Sequence, residues 1–376
     1  MLQTCNPSHR PHSYLVFGAA ALGPTSLPIS HTSGMDDAGQ GRRGLRAKPS
    51  PALFRVLRAR YGIDAEGATD LGGSANLNLL IAGRWVARVY RPYVTAARLA
   101  DINRARVAIR AGNVPSAELI PTDEGESSTM VGERLVEVER YVASDARMNS
   151  WERLEEGLPT LGRIHSLLAP VVVGPAGKAP LFVNHVESHE AIEWTSRGTD
   201  RIRSWTSTAA ERRLADLAEE LADLVWASER DVAAYLPRQL VHGDFWDNNV
   251  LFHGGRMVLV TDFDFMGERP RIDDLALTLY YTNSTFAADP LSDDRIRLLR
   301  RLVDAYDSGL DEPLTTKERE ALPLAIARQP LWAVGRWLAL LDAEEAARGL
   351  AAELAPDVMW ALALIRDRHR WQTAFA

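Results

Sequence analysis

Three short apolar runs in the C-terminal half constrain the fold most, because turn-forming or charged residues bound each of them. The runs are Leu240-Val241, Val250-Leu251-Phe252 and Met257-Val258-Leu259-Val260. Runs of this length between polar residues are typical of buried strands. His253-Gly254-Gly255, between the last two runs, predicts a hairpin turn. Polar residues that flank these runs therefore lie at the ends of packed strands, where their side chains are held still.

Those flanking residues carry a pattern suited to phosphoryl transfer. His242-Gly243-Asp244 follows the first run, Asn249 stands five positions after Asp244, and Asp262 follows the last run. Phosphoryl transfer needs Mg²⁺ beside the phosphates and a base beside the attacking hydroxyl. Magnesium prefers hard oxygen ligands and keeps several of its waters, so an amide and a carboxylate are enough protein ligands. We therefore predict that Asp244 is the catalytic base and that Asn249 and Asp262 bind Mg²⁺.

His242 is assigned to the same catalytic loop, as a neutral ring that hydrogen-bonds the loop backbone and fixes its shape. The set His242-Gly243-Asp244, Asn249 and Asp262-Phe263-Asp264 resembles the catalytic and metal-binding loops of the aminoglycoside phosphotransferase and choline kinase superfamily. That superfamily is distantly related to the protein kinases. Residues 245–252 also resemble the type-II homoserine kinase branch.

The resemblance implies an α+β, bilobal, protein-kinase-like fold. Its N-terminal lobe is built on an antiparallel sheet, and its C-terminal lobe is larger and mainly helical. The resemblance also implies that ATP is the phosphoryl donor, that Asp244 is catalytic, and that Asn249 and Asp262 hold the metal ions. In the family the second acid of Asp273-Asp274 braces the backbone of the catalytic loop.

A glycine-rich segment, residues 71–76, precedes a predicted strand over residues 77–81. Gly72, Gly73 and Ser74 are predicted to bind phosphate, because unobstructed backbone N–H groups approach phosphate oxygens closely. The next predicted strand carries Arg88 where protein kinases have a lysine, and arginine grips phosphate with two donors. The helix predicted over residues 96–111 offers Asp101 as its single acid, so the usual ion-pair partner of the basic residue has no clear counterpart.

Glu139 and Tyr141 correspond, by the same resemblance, to the hinge that meets adenine through backbone atoms. We predict a nucleotide-binding lobe over residues 49–142 and a catalytic and substrate-binding lobe over residues 143–376. Residues 1–48 are rich in Ser, Pro and Gly and are predicted to form a disordered tail, with Met35 as a hypothetical alternative start. His165, on a predicted helix, is expected to be structural.

Composition bounds the functional class. With 376 residues, 46% apolar and 25% charged, the chain has the composition of an ordinary globular protein. A net charge of −7 argues against general affinity for nucleic acid, and no apolar run is long enough to predict a membrane span. The single cysteine, Cys5, forms no internal disulfide, which favours a cytoplasmic protein. We expect either a monomer or a homodimer.

The acceptor is less well determined by the sequence. Tryptophans and acids recur in the C-terminal half, and carboxylates beside indole faces suit a cationic group. The acids are Asp264, Glu268, Asp342, Glu344 and Glu345. We therefore predict a small hydroxylated acceptor that bears an amine, as in an aminoglycoside phosphotransferase. The alternatives are a homoserine- or choline-type metabolic kinase and a catalytically silent nucleotide-binding module.

Overall fold

The structure is a computed structural model that describes residues 46–72, 76–180, 184–286, 290–339, 341 and 343–376. Most of the predicted disordered tail, including Met35 and Cys5, lies outside the described residues. Gly73, Ser74 and Asp342 lie outside them as well.

The N-terminal part is an antiparallel sheet flanked by two helices. Its strands are β1 (Thr69–Asp70), β2 (Leu77–Ile81), β3 (Trp85–Val89), β4 (Leu119–Ile120), β5 (Thr129–Val131) and β6 (Arg134–Arg140). They are ordered β1-β2-β3-β6-β4, with β5 also paired to β6, and every pairing is antiparallel. The helices are α1 (Pro51–Tyr61) and α2 (Ala96–Ala111). Helix α1 ends at Gly62, whose φ of 64° is the left-handed conformation that glycine adopts readily.

The C-terminal part is mainly helical. Its helices are α3 (Trp151–Leu168), α4 (Pro175–Lys178), α5 (Ala191–Ser204), α6 (Ala209–Glu229), α7 (Arg271–Phe286), α8 (Asp293–Ser308), α9 (Thr316–Trp332), α10 (Glu344–Arg366) and α11 (Arg368–Phe375). A π-helical turn, Ala333–Leu338, follows α9. Its strands are β7 (Ala146–Met148), β8 (Arg238–Val241), β9 (Asp247–His253), β10 (Arg256–Val260) and β11 (Gly267–Pro270). They form a β10-β9-β7 sheet and a separate β11-β8 pair.

The α+β class and the arrangement of a sheet followed by a larger helical part are confirmed. The hairpin predicted at residues 253–255 joins β9 and β10. The predicted helix over residues 96–111 is α2. Short polar turns between apolar runs were strong local signals, which explains why these elements were predictable.

Two hydrophobic cores divide the molecule, and helix α2 contributes to the larger of them. The smaller core joins α1 to one face of the N-terminal sheet, through residues such as Leu57, Leu79 and Val138. Ile102 and Ile109 of α2 instead belong to the core of the helical part. Helix α2 therefore links the sheet to the helical part beside the cleft. Within the described residues, no helix is long and apolar enough to cross a membrane.

Candidate active site

The loop between β8 and β9 has a backbone shape that requires glycine at position 243. Gly243 has a φ of +85°, and an added Cβ would lie 2.2 Å from the carbonyl oxygen of Phe265. Its N–H donates to both carboxylate oxygens of Asp274, each at 3.1 Å. The bracing role that the family resemblance implied for Asp274 is thus present as a contact between helix α7 and the loop.

His242 is fully buried and both of its ring nitrogens meet backbone atoms. Nδ1 lies 3.2 Å from the backbone nitrogen of Asp244, and Nε2 lies 3.0 Å from the carbonyl oxygen of Thr261. Nδ1 accepts from an N–H and Nε2 donates to a carbonyl, so the ring is neutral with its proton on Nε2. Burial lowers the pKa of His242 to about 4, which keeps the ring uncharged. His242 therefore ties the loop to the strand end that carries Asp262.

Asp244 is buried and accepts hydrogen bonds from two amides. Asn249 Nδ2 donates to its Oδ2 at 2.8 Å, and Asn184 Nδ2 donates to its Oδ1 at 3.2 Å. Burial and, to a smaller extent, the charge of Asp262 raise the pKa of Asp244 to about 8, against the opposing effect of the hydrogen bond from Asn249. A carboxylate with a raised pKa has the proton affinity that a general base needs. Asn184 was not predicted, since no motif marks it.

The predicted metal ligands present oxygens of the type that Mg²⁺ prefers. Asp262 stands in the left-handed conformation, with a φ of 64°, at the end of the loop after β10. Its Oδ1 is buried and has no hydrogen-bond partner. Asn249 turns its amide nitrogen to Asp244, so its Oδ1 faces away and accepts from Asn248 at 3.2 Å. A carboxylate oxygen without a hydrogen bond and an amide oxygen are both ligand types that suit a hard divalent cation.

Arg88 lies on β3 and reaches the loop that carries Asp262. Its Nη2 donates to Thr261 Oγ1 at 3.0 Å, while Asp262 lies 3.6 Å away and Glu139 lies 3.8 Å away. Burial lowers the pKa of Arg88, but the charges of Asp262 and Glu139 outweigh burial and raise it. The guanidinium is therefore held as a cation between two acids.

The acidic partner of Arg88 comes from a strand and not from helix α2. Asp101, the single acid of that helix, accepts from Arg104 at 2.7 Å and from the backbone of Gly174 at 3.1 Å. Glu139 on β6 takes its place beside Arg88. No local pattern predicts this exchange, because only strand pairing brings residues 88 and 139 to the same face of the sheet.

Gly72 and Asn76 border the glycine-rich segment. Gly72 has a φ of +86° and donates its N–H to Asp70 at 2.8 Å. Asn76 donates to Asp264 at 2.7 Å and so connects the far end of this segment to the loop after β10. Burial raises the pKa of Asp264 to about 6, with a further rise from Asp262 that Arg88 and Asn76 oppose. This contact was not predicted.

Glu139 lies within β6, and its buried carboxylate engages two arginines. The N–H of Tyr141, one residue beyond the strand, donates to the carbonyl of Arg84 at 2.9 Å. The side chain of Glu139 is therefore part of the site, which the hinge interpretation did not anticipate. A backbone contact between these residues and adenine stays a prediction.

Buried polar side chains contact Asp274, the residue that accepts from the catalytic loop. His165 contacts Tyr306 Oη at 2.7 Å and Asp274 at 3.1 Å, which agrees with the expected structural role of this histidine.

In a neighbouring cluster, His185 Nε2 lies 3.5 Å from both Glu187 and Asp273. These three residues offer atoms within 4.8 Å of one another. Arginines already pair with both acids: Arg328 lies 2.6 Å from Asp273, and Arg238 lies 2.9 Å from Glu187. We therefore interpret the cluster as an ion-pair network.

Asp357, on helix α10, is a buried carboxylate that the sequence analysis did not select. It accepts from Tyr280 at 2.6 Å and from Ser284 at 3.0 Å. Among the described residues, no basic group lies within ion-pair distance of it. Burial raises the pKa of Tyr281 well above its usual value, and the charges of Asp244 and Asp357 raise it further. The ring of Tyr281 lies 5.4 Å from that of Tyr280, whose hydroxyl donates to Asp357.

The acids predicted to serve the acceptor are mostly engaged elsewhere. Glu268 pairs with Lys178 at 2.8 Å, and Glu344 pairs with Arg348 at 2.9 Å. Several tryptophans pack inside the helical core, among them Trp360 and Trp371. Trp246, in the loop between β8 and β9, is buried in the same core, with its ring centroid 5.6 Å from that of Tyr281.

Sequence comparison gives one match. A sequence profile described as the phosphotransferase enzyme family, APH, matches residues 68–313. The match includes the glycine-rich segment, Arg88 and the whole loop region from His242 to Asp264. None of the curated proteins matches the chain by sequence.

Solved structures share the fold. The amicoumacin kinase hAmiN, in complex with AMP-PNP, Ca²⁺ and Ami, is 13% identical, has a TM-score of 0.61 and covers 86% of this chain and 96% of its own. The microcompartment-associated aminopropanol kinase is 17% identical, with a TM-score of 0.63, and covers 84% and 97%. A choline/ethanolamine kinase family protein from Mesorhizobium loti is 22% identical, with a TM-score of 0.54, and covers 86% and 97%. These similarities confirm the kinase-like fold.

Proposed function

The chain belongs to the phosphotransferase enzyme family, and from this premise we propose that it is an ATP-dependent O-phosphotransferase acting on a small, amine-bearing alcohol. The observation that carries the proposal is the buried carboxylate of Asp244, which Asn249 holds at 2.8 Å and whose proton affinity the charge of Asp262 raises. The three residue types that phosphoryl transfer requires thus lie in one place.

The reaction follows from these positions. Arg88 and the segment that begins at Gly72 bind the triphosphate, and the acceptor hydroxyl lies against Asp244. The hydroxyl oxygen attacks the γ-phosphorus, the bond from that phosphorus to the β-bridging oxygen breaks, and ADP leaves. The hydroxyl proton passes to Asp244. Asn249 and Asp262 would hold Mg²⁺, and the bound ion would neutralise charge on the phosphates.

His242 acts through the loop rather than on the substrate, because backbone atoms occupy both of its nitrogens. We retain the two-lobe division near residue 142, with adenine contacting the backbone around Glu139 and Tyr141. We also propose a cytoplasmic enzyme, since its one cysteine forms no internal disulfide.

Asp357 supports an acceptor that carries an amine. It is a buried acid without a basic partner among the described residues, and its hydrogen-bond donor Tyr280 packs against Tyr281, with ring centroids 5.4 Å apart. Buried carboxylates are stabilised by an opposite charge, and aromatic rings favour cations. The aminopropanol kinase and the choline/ethanolamine kinase family protein, by their names, act on or are related to enzymes of small amino alcohols.

The test is a coupled assay of ADP release with ATP, Mg²⁺ and a panel of aminoglycosides, choline, homoserine and simple amino alcohols. We expect turnover with at least one amine-bearing alcohol and none with its O-methyl ether, which lacks the attacking hydroxyl. Absence of ATP binding in calorimetry would refute the proposal and favour a different role for the cleft. ATP binding without turnover on any member of the panel would favour the catalytically silent module.

Asp357→Asn tests the amine site. We expect KM for the acceptor to rise about tenfold or more, the scale of losing a close charge pair, while KM for ATP is unchanged. Asp294→Asn, an exposed acid on helix α8, is the control and is expected to change neither constant. An unchanged acceptor KM in Asp357→Asn would remove this residue from substrate recognition.

A further inference from the structure

The ion pair beside the nucleotide site has its charges in an unusual arrangement. Helix α2 supplies a base, Arg106, and strand β6 supplies two acids, Glu137 and Glu139. Arg106 contacts Glu139 at 2.6 Å and Glu137 at 3.3 Å. All three side chains are largely buried. In protein kinases the strand base pairs with an acid on the helix. Here Arg106 on the helix pairs with Glu139 on strand β6, and Glu139 also lies 3.8 Å from Arg88 on strand β3.

Glu139 contacts two arginines at unequal distances, and Arg88 lies between two acids. Glu139 gives its shorter contact to Arg106, at 2.6 Å, and its longer one to Arg88, at 3.8 Å. On its other side Arg88 lies 3.6 Å from Asp262, the predicted metal ligand. Both separations exceed the 2.7–2.9 Å that close charge-assisted hydrogen bonds show. Among the described residues, its one short contact is the hydrogen bond to Thr261, at 3.0 Å, so Arg88 is not closed onto either acid.

We propose that Glu139 and Arg106 are positioning residues that keep Arg88 from closing on Asp262. This inference rests on the proposed function, in which phosphates bind at Arg88. Glu139 draws the guanidinium toward β6, so that Asp262 stays available to the metal. Arg106 limits that pull by engaging Glu139 more closely, so that Arg88 stays available to the phosphates. The two residues act in opposite directions on Arg88.

A matched control lies two residues away on the same face of β6. Glu137 contacts Arg106 and accepts from Tyr90 at 2.7 Å. Its ion pairs do not include Arg88, whose acids are Asp262 and Glu139 among the described residues. Glu139→Gln and Glu137→Gln therefore remove equal charges from neighbouring buried sites, but only the first removes a contact of Arg88.

The experiment measures calorimetric binding of ATP to the full chain over a range of free Mg²⁺ concentrations, and binding of adenosine alongside. In Glu139→Gln the guanidinium closes on Asp262, and Mg²⁺ must displace it. We expect the half-saturating Mg²⁺ concentration to rise about tenfold, as for a close charge pair. Adenosine has no phosphate and its affinity is expected to stay unchanged. Glu137→Gln is expected to match the wild type in both measurements.

Arg106→Met is expected to act in the opposite direction. Glu139 is then left to Arg88 alone, so ATP affinity falls while the Mg²⁺ requirement does not rise. The pair of variants Arg88→Met and Arg88→Met/Glu139→Gln completes a double-mutant cycle. Without the guanidinium, loss of Glu139 is expected to have no further effect on the Mg²⁺ requirement.

An unchanged Mg²⁺ requirement in Glu139→Gln would overturn the inference. A parallel loss of adenosine affinity and thermal stability would also overturn it, because it would show a merely structural role. If Glu139→Gln does not fold, Glu139→Asp keeps the charge, shortens its reach and is expected to shift the Mg²⁺ requirement in the same direction by less. Failure of the wild type to bind ATP would instead refute the proposed function.

Discussion

The two sides of the cleft hold their functional groups by different means. On the acceptor side, the loop from His242 to Asn249 is fixed by hydrogen bonds of 2.8 to 3.2 Å, several of them to backbone atoms. On the proposed nucleotide side, Arg88 makes a hydrogen bond to Thr261 at 3.0 Å and lies 3.6 and 3.8 Å from its two acids. The groups proposed to orient an acceptor are thus held by short hydrogen bonds, whereas the ion pairs of the group proposed to meet a phosphate are long enough to exchange. Each prediction below tests one side of this contrast.

Asp244→Asn is expected to have the largest effect. The amide keeps the shape of the side chain but does not accept the hydroxyl proton, so kcat should fall about 10²- to 10⁴-fold. ATP affinity should stay near the wild-type value, because Asp244 belongs to the acceptor side. Steady-state kinetics and calorimetry of the same preparation give both numbers. A kcat within the wild-type range would exclude Asp244 as the base.

Gly243→Ala tests how rigid the acceptor side is. The left-handed backbone and the 2.2 Å approach to the carbonyl of Phe265 leave no room for a methyl group. We expect a loss of about 2–4 kcal/mol in the free energy of unfolding, together with lowered kcat. The control is Gly254→Ala, since Gly254 also has a positive φ, 57°, but no atom within 4 Å of the added Cβ. Equal losses in the two variants would show that backbone strain alone, without the close approach, accounts for the effect.

His242 makes the stability of the loop sensitive to acid. Its folded pKa of about 4 lies below its ordinary value of 6.5, so the unfolded state binds the proton more tightly. The stabilisation is fully present above pH 6.5 and is lost as pH falls toward 4, by up to about 3 kcal/mol.

Urea unfolding in metal-free buffer between pH 4 and 7 measures this slope. His242→Asn should be less stable at pH 7 but show a shallower pH dependence. His253→Asn, at an exposed histidine, should leave the slope unchanged. An identical slope in the wild type and His242→Asn would contradict the assigned role.

Asn76→Ala is expected to have the smallest effect, and only on the nucleotide side. It removes the 2.7 Å hydrogen bond that connects the glycine-rich segment to Asp264. Because this bond does not contact ATP itself, we expect its loss to have the effect of an ordinary hydrogen bond, about a three- to tenfold rise in the Kd for ATP. The acceptor KM should not change, and Asn149→Ala, at an exposed position, is the control. A change in acceptor KM without a change in the Kd for ATP would contradict the assignment of Asn76 to the nucleotide side.

The local parts of the fold and site were predictable where one segment carries the whole signal. The hairpin of β9 and β10 follows from two apolar runs and Gly254-Gly255. Asp244 and Asn249 are five positions apart in one loop, so their contact needs no distant element. The capping box of helix α6, between Thr208 and Glu211, is equally local.

The long-range partners were not predictable, because they depend on which strands and helices pack together. Asn184 meets Asp244 across 60 positions, and Asn76 meets Asp264 across 188. Helical periodicity places Arg106 on a helix but does not show which strand that helix packs against. The search for an acid on helix α2 therefore found only Asp101 and left the partner of Arg88 open, whereas the fold brings Glu139 to Arg88.

The amino-acid sequence by itself determined the residue types of the proposed site: a carboxylate, an amide and a second acid at spacings that one loop and one hairpin fix. Tertiary structure decided the electrostatics, since burial and strand pairing set which charges compete for Arg88 and how strongly Asp244 holds a proton. The physical reason is that residue identity and short spacing are encoded locally. Coulomb energy and desolvation depend on neighbours that only folding brings together.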